Sequence, residues 1–596
     1  MKHQPKIIIV GGGLAGLMAT IRVAETGIPV ELFSIVPVKR SHSVCAQGGI
    51  NAAKNLKGEG DSTWKHFDDT IYGGDFLANQ GLVKSMCEAA PAIIDLLDRM
   101  GVMFNRTPEG LLDFRRFGGT LFHRTAFAGA TTGQQLLYAL DEQVRRFESE
   151  DKVKKFEGWT FLSAVLDDAG VCRGICAMDL KSMEIRTFPC DAAIFCTGGV
   201  GAIFGRSTNS VVCTGSAQSA LFQQGAYYAN GEFIQVHPTA IPGEDKCRLM
   251  SESARGEGGR VWVPKTPQDP RRGKDIPENE RFYFLEEWYP KYGNLVPRDV
   301  ATRAIHKIVY EMKLGLVGEP AVYLDVSHIP REILERKLEG ILEIYEKFVG
   351  VDPHVEPMKV FPAMHYTMGG LWVDNENQAT NIPGVYAAGE CEYQYHGANR
   401  LGANSLVSCI FGGGIAGPAA VRYAHSLEHS CSETSPAVYE RERVRQQDIS
   451  DALLNQHTGT ENPLTIWREL GDVMTENVTV IRYNANLQKT LVKLDELADR
   501  FTRINLQDRT QWANQTLNFV RELGNMIVLA KVITMGALAR NETRGAHYKP
   551  EFPNRDDANF LKTTIASYNG GDIRLAYEAV DTSLLALRER KYTASS

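Results

Sequence analysis

The sequence has no C-x-x-C pair and no clustered Cys/His set. Its eleven cysteines are scattered, and the two nearest, Cys172 and Cys176, fall in what reads as a strand and turn. That spacing argues against zinc, iron–sulfur clusters and a disulfide framework, and suits a reducing compartment. Positive charge is also in short supply. With 65 Lys and Arg against 72 Asp and Glu, the net charge of -7 offers no basic field for nucleic acid. An anionic substrate must therefore be held by a few local cations. No uninterrupted apolar run reaches the roughly 18 residues needed to cross a bilayer, so the chain is expected to be soluble by itself. The apolar run near the N-terminus is interrupted by glycines and does not read as a secretory signal.

That run is KIIIVGGGLAG, a short strand followed at once by Gly11, Gly13 and Gly16 in G-x-G-x-x-G spacing, with helix formers after it. The glycines allow a tight turn, a close approach of backbone to a pyrophosphate, and close packing of helix on strand. The phosphates then sit at the helix N-terminus, where unpaired N–H groups favour negative charge. The next strand runs from Pro29 to Ser34. Near its end an acidic residue usually holds the ribose; here Ser34 stands there, and Glu31 falls on the other face by strand alternation. The turn alone leaves FAD and NAD both open.

At 596 residues the chain is expected to hold three to five domains. Residues 61 to 100 have helical spacing, with Asp61-Ser62 as an N-cap and Pro91 restarting the pattern. Between Leu112 and Gly133, Arg115, Arg116 and His123 read as solvated loop charges. From Asp191, AAIFCTGGVGAIF reads as a buried strand ending in glycines. Four constellations then follow: Gln235, His237 with Ser251, Glu252 and Arg255; Arg298 with Arg303; His365 in MHYTMGG; and Arg400 in HGANRLGANSL, preceded by Glu390 in YAAGE. An arginine can hold a carboxylate in two parallel bonds, and His237, His365 and Ser251 can supply the remaining donors to a dicarboxylate. Glu390 can accept from a ribose or ribityl hydroxyl. Asn404-Ser405 can cap a helix whose positive end would stabilise charge on a reduced ring. Past residue 425 the glycine-rich texture stops. Leu487, Leu491, Leu494, Ala498 and Phe501 then repeat as in a helical bundle, with Asn462-Pro463 as a helix start.

Taken with RSHSVCAQGG at residues 40–49, these constellations come in the order of one family over nearly the whole chain. The sequence resembles the flavoprotein subunit of succinate dehydrogenase and fumarate reductase. The resemblance implies an α/β fold: a Rossmann-like FAD-binding domain (1–239 and 352–425), an inserted α+β capping domain (240–351), a helical domain (426–539) and a small C-terminal domain (540–596). It implies FAD attached covalently through His42 and contacted by Gly11, Gly13, Gly16, Ser34, Gln47, Gly49, Glu390, Asn404, Ser405 and Leu406. Phe117 and Gly48 would line the substrate cavity with His237, Ser251, His365 and Arg400. Arg298 would carry the proton, with Glu252 and Arg255 as its relay; residues 252 and 255 share one face of a turn if that piece is helical. The family usually has Thr-Gly-Asp-Gly where this chain has Thr214-Gly215-Ser216-Ala217, one cofactor contact fewer. The segment Glu542 to His547 resembles a C-terminal family segment and carries no expected chemistry.

The implied activity is interconversion of succinate and fumarate, in either direction. The chain has no cluster ligands or haem motif of its own. The resemblance therefore implies an iron–sulfur subunit, a membrane cytochrome b anchor and quinone as partners, at the cytoplasmic side of the cell membrane. A soluble L-aspartate oxidase or fumarate reductase would share the fold, with FAD held non-covalently; His42 speaks against it. A non-catalytic flavin-binding assembly protein would have no need of Arg298, Arg400 and both histidines together. A disulfide reductase is excluded because no paired redox cysteines follow the glycine turn.

Overall fold

The computed structural model describes residues 4–243 and 247–591. The apolar run Ile7–Val10 is buried along its whole length and forms the middle strand of a five-stranded sheet. The order is Val385–Ala387, Ala192–Phe195, Ile7–Val10, Val30–Ser34, Val153–Glu157, and every pair is parallel. A parallel sheet needs crossovers that cover its faces, which explains why the inner strands are apolar at successive positions and do not alternate. Helix Leu14–Ala24 follows the glycine turn, and Asn404–Ser426 lies directly across it. A Cβ on Gly413 would come within 2.2 Å of the Ala15 carbonyl oxygen, so the two backbones meet without side chains between them.

The chain leaves this body along Ile234–Ile241 and returns along Met358–Thr367. The two are antiparallel neighbours in a six-stranded sheet. Their register slips between His237 and Ala240, around Pro238, which has no N–H to give a ladder. Between them lie helices Arg298–His306 and Arg331–Val349, strands Arg260–Pro264 and Val322–Asp325, and a separate apolar core that includes Val261, Leu324, Leu338 and Ile341. Two of the histidines in the constellations sit on the connecting strands, His237 on the outgoing and His365 on the returning one.

In the N-terminal third one reading changes and another narrows to a single residue. Pro91 does not restart a helix; it lies inside one continuous helix, Gln80–Arg99. The buried face formed by Val83, Met86, Ala90, Ile94 and Leu97 runs straight through it and offsets the lost hydrogen bond. At Asp61-Ser62 it is Ser62 that caps the helix Thr63–Gly73, accepting from Lys65 N, while Asp61 pairs with the buried Arg124.

Four long helices follow residue 435: Pro436–Leu454, Pro463–Val478, Asn484–Phe501 and Gln515–Ala539. Asn462 caps the second and Leu487 and Leu494 are fully buried in the third, as the repeat requires. By length and composition Asn404–Ser426 and Gln515–Ala539 are apolar enough to cross a membrane, although their sequences contain no unbroken apolar run. Each is 61% buried inside the fold, which is how a core helix passes the same test.

The C-terminal hairpin, Lys562–Asn569 and Asp572–Ala579, extends a sheet begun by Tyr228–Ala229 and Gly370–Leu371. Beneath it Arg540 bonds Glu232 at 2.8 Å and Glu542 at 2.9 Å, and Arg544 bonds Glu542 at 2.8 Å and the Asp75 carbonyl at 2.9 Å. All four charged side chains are buried. The segment without expected chemistry is thus a structural lock between the C-terminus and the first domain. Removing one member strands a buried charge, so Arg540→Met is expected to cost about 3–5 kcal/mol. Denaturant unfolding should show this, and the double variant Arg540→Met/Glu232→Gln should recover part of the loss.

Candidate active site

A cavity of about 540 Å³ runs from the glycine turn to the paired strands that carry the histidines. At its first end Gly11 has φ +117°, and a Cβ on Gly16 would fall 1.8 Å from the Gly11 carbonyl oxygen. Gly11 and Gly13 line the cavity while Gly16 lies behind them, packing the helix onto the turn. Ser34 is buried and lines the cavity; Glu31 does not. His42, Gln47, Gly49, Glu390, Ser405 and Leu406 also reach it.

Asn404 does not. Ala403 adopts φ +63° at the helix start, and the Asn404 side chain turns into the core. There its Oδ1 accepts from Asn51 Nδ2 at 2.8 Å and lies 2.9 Å from His66 Nε2, while its Nδ2 donates to Thr70 Oγ1 at 2.9 Å. No side chain caps the helix, and the residues it presents to the cavity are Ser405, Leu406 and Cys409.

The 47–49 loop is shaped from behind. Arg115 is buried rather than solvated: its Nε donates to the Gly48 carbonyl at 3.0 Å, and its Nη2 donates to the same oxygen and to the Gln47 carbonyl at 3.1 Å. Burial pushes its pKa down to about 9. Sequence spacing gave no sign of this, because the acceptors are backbone carbonyls some 67 residues away in the chain. Arg116 and His123 remain partly exposed around Glu59. On the cavity side Phe117 packs on Gly48 so closely that a Cβ there would be 2.8 Å from the ring.

The cationic end holds three buried guanidinium groups. Arg298 donates from Nε to Glu252 Oε2 at 2.8 Å and from Nη1 to Gln235 Oε1 at 2.9 Å. Glu252 Oε1 accepts from the Gly118 N–H at 2.7 Å and lies 3.6 Å from Arg255 Nη2. Glu252 and Arg255 stand one turn apart about the short helix Ser253–Gly256. Arg255 itself sits outside the cavity lining and donates to the Asn294 carbonyl at 2.7 Å. Burial opposes ionisation of Glu252, but the arginines overcome it and its pKa falls. Arg400 lies over the Tyr366 ring and donates to Ser405 Oγ at 3.2 Å. Burial, reinforced by the charge of Arg298, brings its pKa down to about 9. Among the described residues Arg400 has no ion pair.

His237 and His365 face each other with ring centroids 5.0 Å apart. Both are held well below the usual imidazole range, by burial first and then by Arg298, so they enter the cavity neutral. Thr208 Oγ1 orients His365 Nδ1 at 2.7 Å, and the Thr239 N–H donates to His237 Nδ1. Ser251 is buried beside them, its hydroxyl donating to Ser253 Oγ at 2.9 Å. Several buried polar atoms here have no protein partner: His237 Nε2, Arg400 Nε and Gln47 Oε1. Such atoms are costly unless something bound to the cavity satisfies them. A glycine cradle at one end and unsatisfied donors at the other fit a dinucleotide cofactor with an anionic substrate beyond it.

An FAD binding domain model matches residues 6–406, and a fumarate reductase flavoprotein C-terminal model matches residues 467–592. A succinate dehydrogenase flavoprotein subunit of Bacillus subtilis is 61% identical over 594 residues, 99% of each chain. The chain belongs to the succinate dehydrogenase and fumarate reductase flavoprotein family. An Escherichia coli quinol fumarate reductase structure superposes with a TM-score of 0.90 at 33% identity, covering 99% of this chain and 98% of that one. A quinol–fumarate reductase with menaquinol molecules gives 0.89, also at 33%, over 99% and 100%. FAD is thereby the cofactor of the two open in the glycine turn. The family's α/β fold, with its helical C-terminal region, is the fold seen here.

Glu390 and Glu392 flank this end of the sheet, and burial raises their pKa values to about 7 and about 8. Glu392 lies outside the cavity and accepts from the Gln394 N–H at 2.7 Å. A carboxyl raised in the folded state stabilises fully below its unfolded pKa, near 4.5, and that contribution is lost as pH rises through about 8. Glu392→Gln should therefore gain on the parent between pH 5 and 8.5, by more than about 1 kcal/mol. Unfolding curves taken across that range will check it.

Proposed function

We propose that this cavity interconverts succinate and fumarate as the catalytic flavoprotein subunit of a membrane-held complex. The observation that carries the reading is a charge count. Arg255, Arg298 and Arg400 are buried together, and Glu252 is the carboxylate that pairs with two of them. Two positive charges remain, which a dicarboxylate dianion would balance. Arg400 would hold one carboxylate, and His237, His365 and Ser251 would supply donors to the other. Phe117, packed on Gly48, would exclude water from the carbons between them.

FAD, when bound, supplies the hydride acceptor or donor. The chain supplies the proton. Toward fumarate, an N–H of Arg298 passes its proton to the substrate carbon; the Glu252 carboxylate then takes a proton from Arg255 and hands it to the neutral Arg298, and Arg255 is refilled from solvent. Toward succinate each transfer reverses. A guanidinium gives up a proton reluctantly. Burial of Arg255, which lowers its pKa, favours exchange along the relay.

Covalent attachment through His42 belongs to the same proposal. The Ser210 N–H donates to His42 Nδ1 at 3.2 Å, and Asn209 Nδ2 lies 3.0 Å from Nε2. A neutral imidazole accepts at one nitrogen only, whereas a ring substituted at Nε2 keeps the Nδ1 lone pair for Ser210. The domain limits 1–239 with 352–425, 240–351, 426–539 and 540–596 belong to the proposal; the inserted segment has a core of its own, while the helical bundle and the C-terminal hairpin share one with the first sheet. The electrons would leave to an iron–sulfur subunit and on through a cytochrome b anchor to quinone, at the cytoplasmic side of the membrane.

Arg298→Gln should lower kcat for succinate oxidation by about 10²–10⁴-fold with an artificial acceptor, with flavin content kept. A kcat within threefold of the parent would remove Arg298 from the proton path. For His42→Ser, the protein band should lose its flavin fluorescence after acid precipitation and a denaturing gel. A parent band already dark would sink the covalent assignment.

A further inference from the structure

The last described residues of the chain lie against the helix turn that carries Arg298, through the neighbouring Asp299. Residues 584–591 run along the helices Thr63–Gly73 and Gln80–Arg99. The Gln80 side chain accepts from the N–H groups of Leu584 and Leu585, at 3.1 and 2.8 Å, and donates to the Leu585 carbonyl. Arg588 pairs with Asp68 at 2.7 Å, and the Tyr72 hydroxyl accepts from Lys591 N at 2.7 Å and donates to its carbonyl. From this anchored stretch Arg590 reaches across to helix Arg298–His306. Its Nη1 and Nη2 take the two oxygens of Asp299 at 2.5 and 2.9 Å, with both side chains buried.

Asp299 follows Arg298 directly, in the first turn of that helix. The turn is therefore held on two sides. Inside the cavity Arg298 is bonded to Glu252 and Gln235; outside, Asp299 is clamped in a planar two-bond pair, a geometry that fixes orientation as well as distance. Arg303, one turn further on, holds Asp299 at 3.2 Å and lies over the Tyr548 ring, a second link between this helix and the C-terminal part of the chain.

Resting on the proposed reaction, we infer that Arg590 is a positioning residue. The C-terminal segment straps the inserted domain to the first domain and sets the Arg298 guanidinium against the substrate carbon. Loss of the strap leaves the substrate carboxylates held by Arg400 and the histidines, but lets the proton donor wander. The effect falls on kcat and spares KM.

The test uses the holoenzyme complex with succinate and an artificial acceptor. Arg590→Ala should lower kcat about 10-fold or more, since misplacement of about 1 Å at a reacting group costs rate on that scale, with KM within threefold of the parent. Arg590→Lys, which keeps the charge but not the two-bond geometry, should recover part of the loss. Combining Arg590→Ala with Arg298→Lys should cost less than the product of the two separate losses, because both act on one proton transfer. Arg588→Ala, which cuts only an exposed anchor, should stay within twofold of the parent. A kcat for Arg590→Ala within twofold of the parent would overturn the inference, as would a loss that multiplies fully with that of Arg298→Lys. If Arg590→Ala fails to hold flavin, Arg590→Lys decides alone: parent-like kcat and KM would likewise overturn it. A parent complex that does not oxidise succinate would count against the proposed function instead.

Discussion

The Arg298–Glu252 pair is the contact on which the rest of the structure depends. A buried carboxylate between guanidinium groups is stable only if each partner is fixed and its other lone pairs are used, and a broken pair leaves a charge in the dry interior. Here Glu252 arrives from one short helix, Arg298 from another, and the Gly118 N–H from the first domain. Both members of the pair belong to the inserted segment, and each spends its remaining capacity on the body of the fold, Glu252 on the Gly118 N–H and Arg298 on Gln235, so the pair carries the register between the two.

The remaining charges explain why the site is kept dry. Arg298 adds to the cost of ionising the buried Arg400, and both depress the neighbouring histidines. Left to itself such a cluster opposes folding. A dianion would add an attraction that opposes each of these effects, so the empty site is arranged to favour one. The orphaned atoms His237 Nε2 and Arg400 Nε belong to the same logic: they cost energy until a ligand oxygen meets them.

Much of this was legible in the sequence, and the pattern of what was not is instructive. The glycine turn, the strand after it and the helix start at Asn462 are local, fixed by spacing within a few residues. Glu252 and Arg255 one turn apart were local as well. Arg115 was misread because a solvated loop arginine and one buried against backbone carbonyls have the same sequence; its acceptors at Gln47 and Gly48 carry no side-chain signature. Asn404 was misread for a different reason. An Asn at a helix start usually caps it, but Ala403 in the left-handed region turned the side chain to Asn51, His66 and Thr70, three partners distant in the chain. Gln235 stood in a noted constellation without a role, and its bond to Arg298 appeared only once the two strands and the helix were brought together.

The same reasoning separates two kinds of buried charge in this chain. Arg540, Arg544, Glu232 and Glu542 are paired, cation against carboxylate, and so act as a lock whose value lies in specificity of docking. Arg255, Arg298 and Arg400 are deliberately under-paired by Glu252 alone. A fold can hold two uncompensated cations only if other parts supply surplus stability. That surplus comes from the apolar cores, while the paired cluster at the C-terminus, joined through Asp75 and Glu232 to the first domain, fixes how the parts dock. Paired charge in one region thus sets the docking, and under-paired charge in the other leaves room for an anion.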